Sequence, residues 1–259
     1  MYRYIIILIL IAIFARNFDV ISKIDKGIST TDVLEIEANI IDAPITIIES
    51  DVQEVTVSST VVNTGLGFIT QPSTWKKDGV LYFHQGYAVG WNTESTGDIT
   101  IEIPEGMVLD IDIKSGSGDV FVNTSVSTNI SIDAAVGEKI IESNGKNLFI
   151  KSVSGNITIG GIFANTEIDT INSNLKMYAN ADTDKIYYES ISGNATIFMQ
   201  RVRGYNLLHT YAGGKTEEYC SVEESLEKIV EVSGDTIDGH INIVHVEMDG
   251  ENLLKKGIE

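Results

Sequence analysis

The groups best equipped for chemistry in this sequence are its carboxylates: Glu102, Asp110, Asp112, Asp119, Asp133, Asp169 and Asp235 recur through the middle and end of the chain. Two carboxylates can share acid and base work on a glycosidic bond when a groove holds them at a defined separation. Asp110 and Asp112, however, alternate with Ile111 and Ile113 in the run DIDIK, so on a strand they are outward, solvated positions. The histidines are His84, His209, His240 and His245. His240 and His245 are five apart in GHINIVH, which on a strand puts them on opposite faces and argues against a shared metal. Cys220 is the single cysteine, so neither an intramolecular disulfide nor a cysteine-cluster metal site is available. There is no His-Glu-x-x-His helix, no phosphate-binding glycine loop and no Gly-x-Ser-x-Gly elbow. The expectation is a protein without catalytic residues, cofactor or metal.

One cluster has recognition chemistry instead. Trp75, Tyr82, Phe83, Tyr87 and Trp91 lie close together in sequence. Exposed aromatics anchor ligands and partners, while buried ones merely pack. These five are the candidate ligand contacts.

The elements that must position such residues are announced by a repeat. After Pro104 the turn-like tripeptides centre on 118, 137, 155, 173, 193, 213 and 234, in steps of 19, 18, 18, 20, 20 and 21. The expected corners are Gly118 with Asp119, Gly137, Gly155 with Asn156, Asn174, Gly193 with Asn194, Gly213, and Gly234 with Asp235. Glycine supplies positive φ without a Cβ clash, and Asn and Asp tolerate the same region. Short alternating runs such as VFV, LFIKSV, ITIG and LKMY flank the corners, the pattern of strands with one buried face. A meander of hairpins or a solenoid could use such turns. The near-constant period favours an all-β, single-stranded β-solenoid, β-helix-like, with about 19 residues per coil. Asp at two of the corners raises calcium as a ligand there, but the Gly-Gly-x-Gly-x-Asp repeat is absent, and plain turns are the simpler account.

The expected organisation is a signal-type or anchor segment and linker over 1–28, one β-solenoid domain over 29–246 with an inserted loop near 63–79, and a tail over 247–259. Ile5 to Ala15 is eleven apolar residues between Arg3 and Arg16, short for a spanning helix but suited to the apolar part of a secretory signal. The remainder is then expected outside the cytoplasmic membrane, secreted or anchored. The chain has 259 residues, 43% hydrophobic, with 23 glycines, 3 prolines and a formal net charge of −19. That balance supports a sizeable core, disfavours nucleic acid and permits cationic partners.

The segment ITIEIPEGMVLDIDIKSGSGDVFV, residues 99 to 122, together with the later Ser-Gly-Asn/Asp units, resembles a bacterial putative-adhesin family of unknown function. Its members carry a toastrack-like β-solenoid domain. The likeness extends over roughly residues 33 to 246. Asn172-Ser173-Asn174 lacks the glycine of the pattern, and Gly213-Gly214-Lys215 lacks its acidic or amide residue. The resemblance implies an extracytoplasmic protein, often membrane-tethered, in adhesion or envelope stress signalling, and supplies no catalytic residues. The expected function is therefore a non-enzymatic cell-envelope binding or adhesion-type module whose partner is a protein, a cell-wall polymer or a cationic peptide. It would touch the membrane only through the N-terminal segment. A carbohydrate-active enzyme and a structural spacer are the alternatives.

Overall fold

The computed structural model describes residues 20–28, 32–70, 72–86, 88–212, 214–221 and 228–246; within 20–28, 61–69 and 88–96, and at 214 and 221, the description is of the backbone. The apolar stretch Ile5 to Ala15, the 247–259 tail, Tyr87 and Gly213 lie outside the described residues.

Alternating β-branched residues make the chain a succession of strands: β1 (Val20–Ile28), β2 (Glu35–Ile40), β3 (Ile45–Ser50), β4 (Val55–Ile69), β5 (Ser73–Lys77), β6 (Val80–His84), β7 (Ala88–Pro104), β8 (Asp110–Ser115), β9 (Val120–Ala134), β10 (Lys139–Ser154), β11 (Ile157–Ile159), β12 (Phe163–Asn172), β13 (Leu175–Ala179), β14 (Lys185–Ser192), β15 (Ala195–Met199), β16 (Gly204–Tyr211), β17 (Gly214–Ser221), β18 (Ile229–Asp238) and β19 (Ile241–His245). The protein is all-β, with no α-helix among the described residues, and its strands join in one open sheet.

Pairing divides that sheet into two rows. In the first, neighbours follow the order β5, β6, β2, β8, the second halves of β9 and β10, β12, β14, β18, β16 and β17. In the second the order is β1, β4, β7, β3, the first parts of β9 and β10, β11, β13, β15 and β19. From β8 to β15 all pairings are parallel and in register, apart from one shift between Ser143 and Asn144. The second row pairs Val120 with Lys139, Lys139 with Ile157, Ile157 with Leu175 and Leu175 with Ala195, so partners stand 19, 18, 18 and 20 residues apart. Among the described residues, antiparallel pairs occur only towards the ends, in β1–β4, β4–β7, β5–β6 and β16–β17.

The inward positions of both rows form one apolar core, including Ile36, Ile111, Ile132, Ile150, Ile168, Ile186 and Val232 from the first row and Ile47, Val122, Ile141, Ile159, Met177 and Ile197 from the second. Like residues stack on like because parallel, in-register neighbours repeat the same inward positions.

Three expectations are corrected. Val20–Ile28, placed within a linker, is β1 and pairs antiparallel with β4 from Val20 opposite Asn63 to Ile28 opposite Val55. The loop near 63–79 is not a loop: Val55–Ile69 pairs along its length with β7, and Ser73–Lys77 pairs with β6. Polar and glycine-rich composition hides those strands because their alternation is weak. Gly213, expected as a corner, lies outside the described residues; on either side of it Tyr211 of β16 pairs antiparallel with Gly214 of β17. Gly234 and Asp235 are not a corner: they lie within β18, opposite Tyr188 and Glu189. There the glycine serves close approach, for a Cβ on it would fall 2.2 Å from the Tyr188 carbonyl oxygen.

Candidate functional site

The corners that remain form a column. A Cβ on Gly118 would lie 2.4 Å from the Ala43 oxygen, one on Gly137 2.3 Å from the Gly118 oxygen, and one on Gly155 2.0 Å from the Gly137 oxygen. Gly193 is packed in the same way on Ser173, and Gly239 on Gly193. Gly118, Gly137 and Gly155 have φ of +108°, +111° and +106°, a region open to glycine. The polar residue after each bend faces its neighbour. Asp119 Oδ1 accepts from Glu138 N at 2.8 Å, Asn174 Oδ1 from Asn194 N at 3.1 Å, and Asn194 Oδ1 from His240 N at 3.0 Å; Asn174 Nδ2 donates to Asn156 Oδ1 at 3.5 Å. These oxygens are thus used within the column. Among the described residues, no three His, Cys, Asp or Glu side chains are grouped to hold a metal. The bend between β2 and β3 has no glycine; buried Gln85 holds it, its Oε1 accepting from Ile41 N at 2.8 Å and Asp42 N at 3.2 Å.

The outer face of the first row carries the more open chemistry. Asn129, Asn147 and Asn165 stand in register on β9, β10 and β12. Asn129 Nδ2 donates to Asp110 Oδ1 at 3.0 Å, Asn147 Nδ2 to Asn129 Oδ1 at 2.7 Å, and Asn165 Nδ2 to Asn147 Oδ1 at 3.1 Å. Two positions along each strand stand Ser131, Phe149, Glu167 and Tyr187, also in register. These residues and Lys185 line a groove of about 430 Å³. Each of the three amides spends one N–H, and Asn129 and Asn147 one lone pair, on its ladder neighbours, which leaves a second N–H and further acceptor capacity on each. The Tyr187 hydroxyl donates to Glu189 Oε2 at 2.9 Å and to Asp235 Oδ2 at 3.4 Å; burial, then these two carboxylates, hold its proton well above the usual phenol range. Asn129, Asn147 and Asn165 keep an 18-residue spacing in the sequence, but an outward asparagine carries no hydropathy signal by which that spacing would stand out.

Among the candidate aromatics whose side chains are described, Trp75 and Tyr82 stand together and Phe83 stands apart from them. Trp75 is 45% exposed and stacks on Tyr82 with ring centroids 5.2 Å apart. Phe83, expected as a ligand contact, is fully buried in the core beside Leu81, because it falls on the inward phase of β6, where Tyr82 falls on the outward one. Trp91 lies on β7 opposite Leu66.

The carboxylates are dispersed. Asp112 pairs with Lys114 at 3.0 Å, and Glu35 is raised above its ordinary value by burial first and then by Asp110 and Asp112. Buried His209 contacts Thr236 Oγ1 through Nε2 at 2.8 Å, and His245 stacks on Tyr205 at 5.4 Å; burial lowers both imidazoles. The least expected group is Lys139, fully buried, whose Nζ donates to Ser152 Oγ at 2.6 Å and the Ser154 carbonyl at 2.9 Å. Burial pushes its amine down to about 8, with Asp119 pulling weakly the other way.

No protein-family model matches this chain, and no curated protein does. Solved structures do. A putative adhesin from Bacteroides fragilis is 12% identical, aligns over 86% of this chain and 97% of its own, and gives a TM-score of 0.42. A putative cell adhesion protein from Clostridium sporogenes is 12% identical over 88% of this chain and 100% of its own, at 0.38. A putative lipid binding protein from Parabacteroides distasonis is 14% identical over 87% and 97%, at 0.34. Four of the solved structures to which this chain is similar are bacterial proteins described as putative adhesins or cell adhesion proteins.

Proposed function

We propose that this protein is an extracytoplasmic, non-enzymatic binding module built as a β-solenoid of about 19 residues per coil, and that it holds a cell-wall glycan in the groove on the outer face of the first strand row. The observation that carries the reading is the groove itself: amides of Asn129, Asn147 and Asn165 running beside Phe149, Glu167 and Tyr187. Spare amide donors and acceptors suit sugar hydroxyls, and an exposed ring face suits the apolar side of a pyranose. The repeat at the strand spacing of ~4.8 Å offers the same contacts to each successive unit of a polymer. The solenoid is supported by partners 18 to 20 residues apart along both rows. The location is supported by the apolar run between Arg3 and Arg16. Co-sedimentation of the full chain with insoluble cell-wall polymer tests it. Asn147→Ala and Phe149→Ala are expected to leave the protein in the supernatant. Equal sedimentation of both variants overturns the reading.

A further inference from the structure

Beside the groove the same face carries an aliphatic column. Val153, Ile171, Ile191 and Ile237 follow in register on β10, β12, β14 and β18, each next to a paired residue of the ladder. They are 45%, 45%, 48% and 61% exposed. Isolated exposed aliphatics are ordinary, but a contiguous line of them marks a contact surface. Most other outward positions of these strands are polar or charged; Ile140 and Ile229 are half-buried, and Phe149 and Tyr187 belong to the groove, so the line is not scattered apolar surface. Two residues back along β12, β14 and β18 stand Asp169, Glu189 and Asp235, again in register, with Lys151 of β10 opposite Asp169. The single Tyr187 hydroxyl proton is shared between Glu189 Oε2 at 2.9 Å and, more weakly, Asp235 Oδ2 at 3.4 Å, on this face.

We propose that this column is a docking surface for a cationic, amphipathic peptide segment of a partner protein. The segment lies along the column with its aliphatic side chains on the ladder and its Lys or Arg side chains reaching the three carboxylates. Four rungs at the strand spacing span ~14 Å, the length of about five extended residues. Long basic side chains lay their methylenes on apolar surface while the charged end reaches sideways, which is the combination the paired columns present. The charge selects among occupants. An anionic bilayer would bring phosphate against the carboxylates. A second copy of this chain would bring its own acidic column against this one, and like charges meeting cost affinity. The net charge of −19 steers a cation towards the molecule. The proposal shares Tyr187 with the glycan groove but uses neither the asparagines nor Phe149, so the two surfaces are separable by substitution.

The probe is a labelled peptide of about ten residues in which Lys and Val take turns at every second position, with Ser between, so that both fall on one face of the extended chain; it is titrated into the full chain by fluorescence anisotropy. Saturable binding that weakens with added salt is expected. Affinity should fall about tenfold both in Ile171→Ser/Ile191→Ser and in Asp169→Asn/Glu189→Gln, since each pair removes roughly one strong contact's worth of binding. The corresponding Glu–Val peptide should not bind, and Asn147→Ala should bind the Lys–Val peptide as the parent does. All these positions are solvent-facing, and circular dichroism checks that the fold is kept; if the serine pair misfolds, the carboxylate pair decides. The absence of saturable binding, unchanged affinity in a folded variant pair, equal binding of the Glu–Val peptide, or column-dependent binding to phosphatidylglycerol vesicles would each overturn the proposal.

Discussion

The stretch from β8 to β15 and the two ends of the molecule use the same alternation and reach different architectures. In the middle, every strand has a parallel neighbour about one repeat away in sequence, and bends stack backbone on backbone at Gly118, Gly137 and Gly155. At the ends, β4 with β7, β5 with β6, and β16 with β17 turn back antiparallel. Alternation decides only which side chains are inside. What decides parallel or antiparallel is whether the bend can tolerate another bend pressed against it. The glycines of the middle can; Asp78 and Gly79, between β5 and β6, simply reverse the chain with positive φ.

The strongest way to break that contrast is to place a methyl group in the column. Gly155→Ala sets a Cβ 2.0 Å from the Gly137 oxygen at a φ of +106°, and is expected to cost roughly 3 kcal/mol or more, read as a fall in the urea midpoint. Gly106→Ala, also at positive φ but with no atom within 4 Å, should cost about 1 kcal/mol, the backbone term alone. Comparable losses at the two sites would remove the distinction drawn here.

Tyr188→Phe comes next. Its buried hydroxyl donates to the Ser173 carbonyl at 2.9 Å, at the one bend of the stack where serine stands in place of glycine. Leaving that carbonyl unpaired should cost about 2 kcal/mol by the same measurement.

Lys139 sharpens the comparison with the opposite sign. Its folded pKa, about 8, lies below the ordinary 10.5, so the unfolded chain binds the extra proton between the two values. Stability should therefore rise with pH through that window, by about 1 kcal/mol between pH 7 and 9. The cost of burying the charge is fully present below pH 8. Lys139→Met should abolish that rise and raise Tm at pH 7. A flat profile in the parent protein would remove the buried-cation account. The smallest effect is expected at the antiparallel edge: Trp75→Ala removes an exposed stacking partner of Tyr82 and should shift stability by less than about 0.5 kcal/mol.

How far the sequence disclosed this can be told from particular residues. Gly118, Gly137, Gly155 and Gly193 were legible because stacking imposes a constant spacing, and a constant spacing is visible without coordinates. Gly234 misled for a physical reason: Ser233-Gly234-Asp235 has turn chemistry, yet β18 needs a residue without a side chain where it passes Tyr188. The true bend, Gly239, was hidden because the β16–β17 hairpin intervenes and sets it 46 residues beyond Gly193. The asparagine ladder was periodic but chemically plain, and partial exposure leaves no hydropathy signal. Lys139 carried no signal at all, since its burial depends on Ser152 and Ser154, which arrive from the opposite side of the same strand's path.

One detail of the first row bears on how the chain assembles. β18 lies between β14 and β16, although β16 and β17 precede it in sequence. A nascent polypeptide therefore completes its terminal hairpin before the strand that must fill the space beside β14 has been made. Until then β14 offers a row of unsatisfied amides and carbonyls to any neighbour, the condition under which strands recruit the wrong partner. Closure of that seam, the last insertion to be made in the row, is where truncation from the C-terminal side would turn a finished molecule into a sticky one.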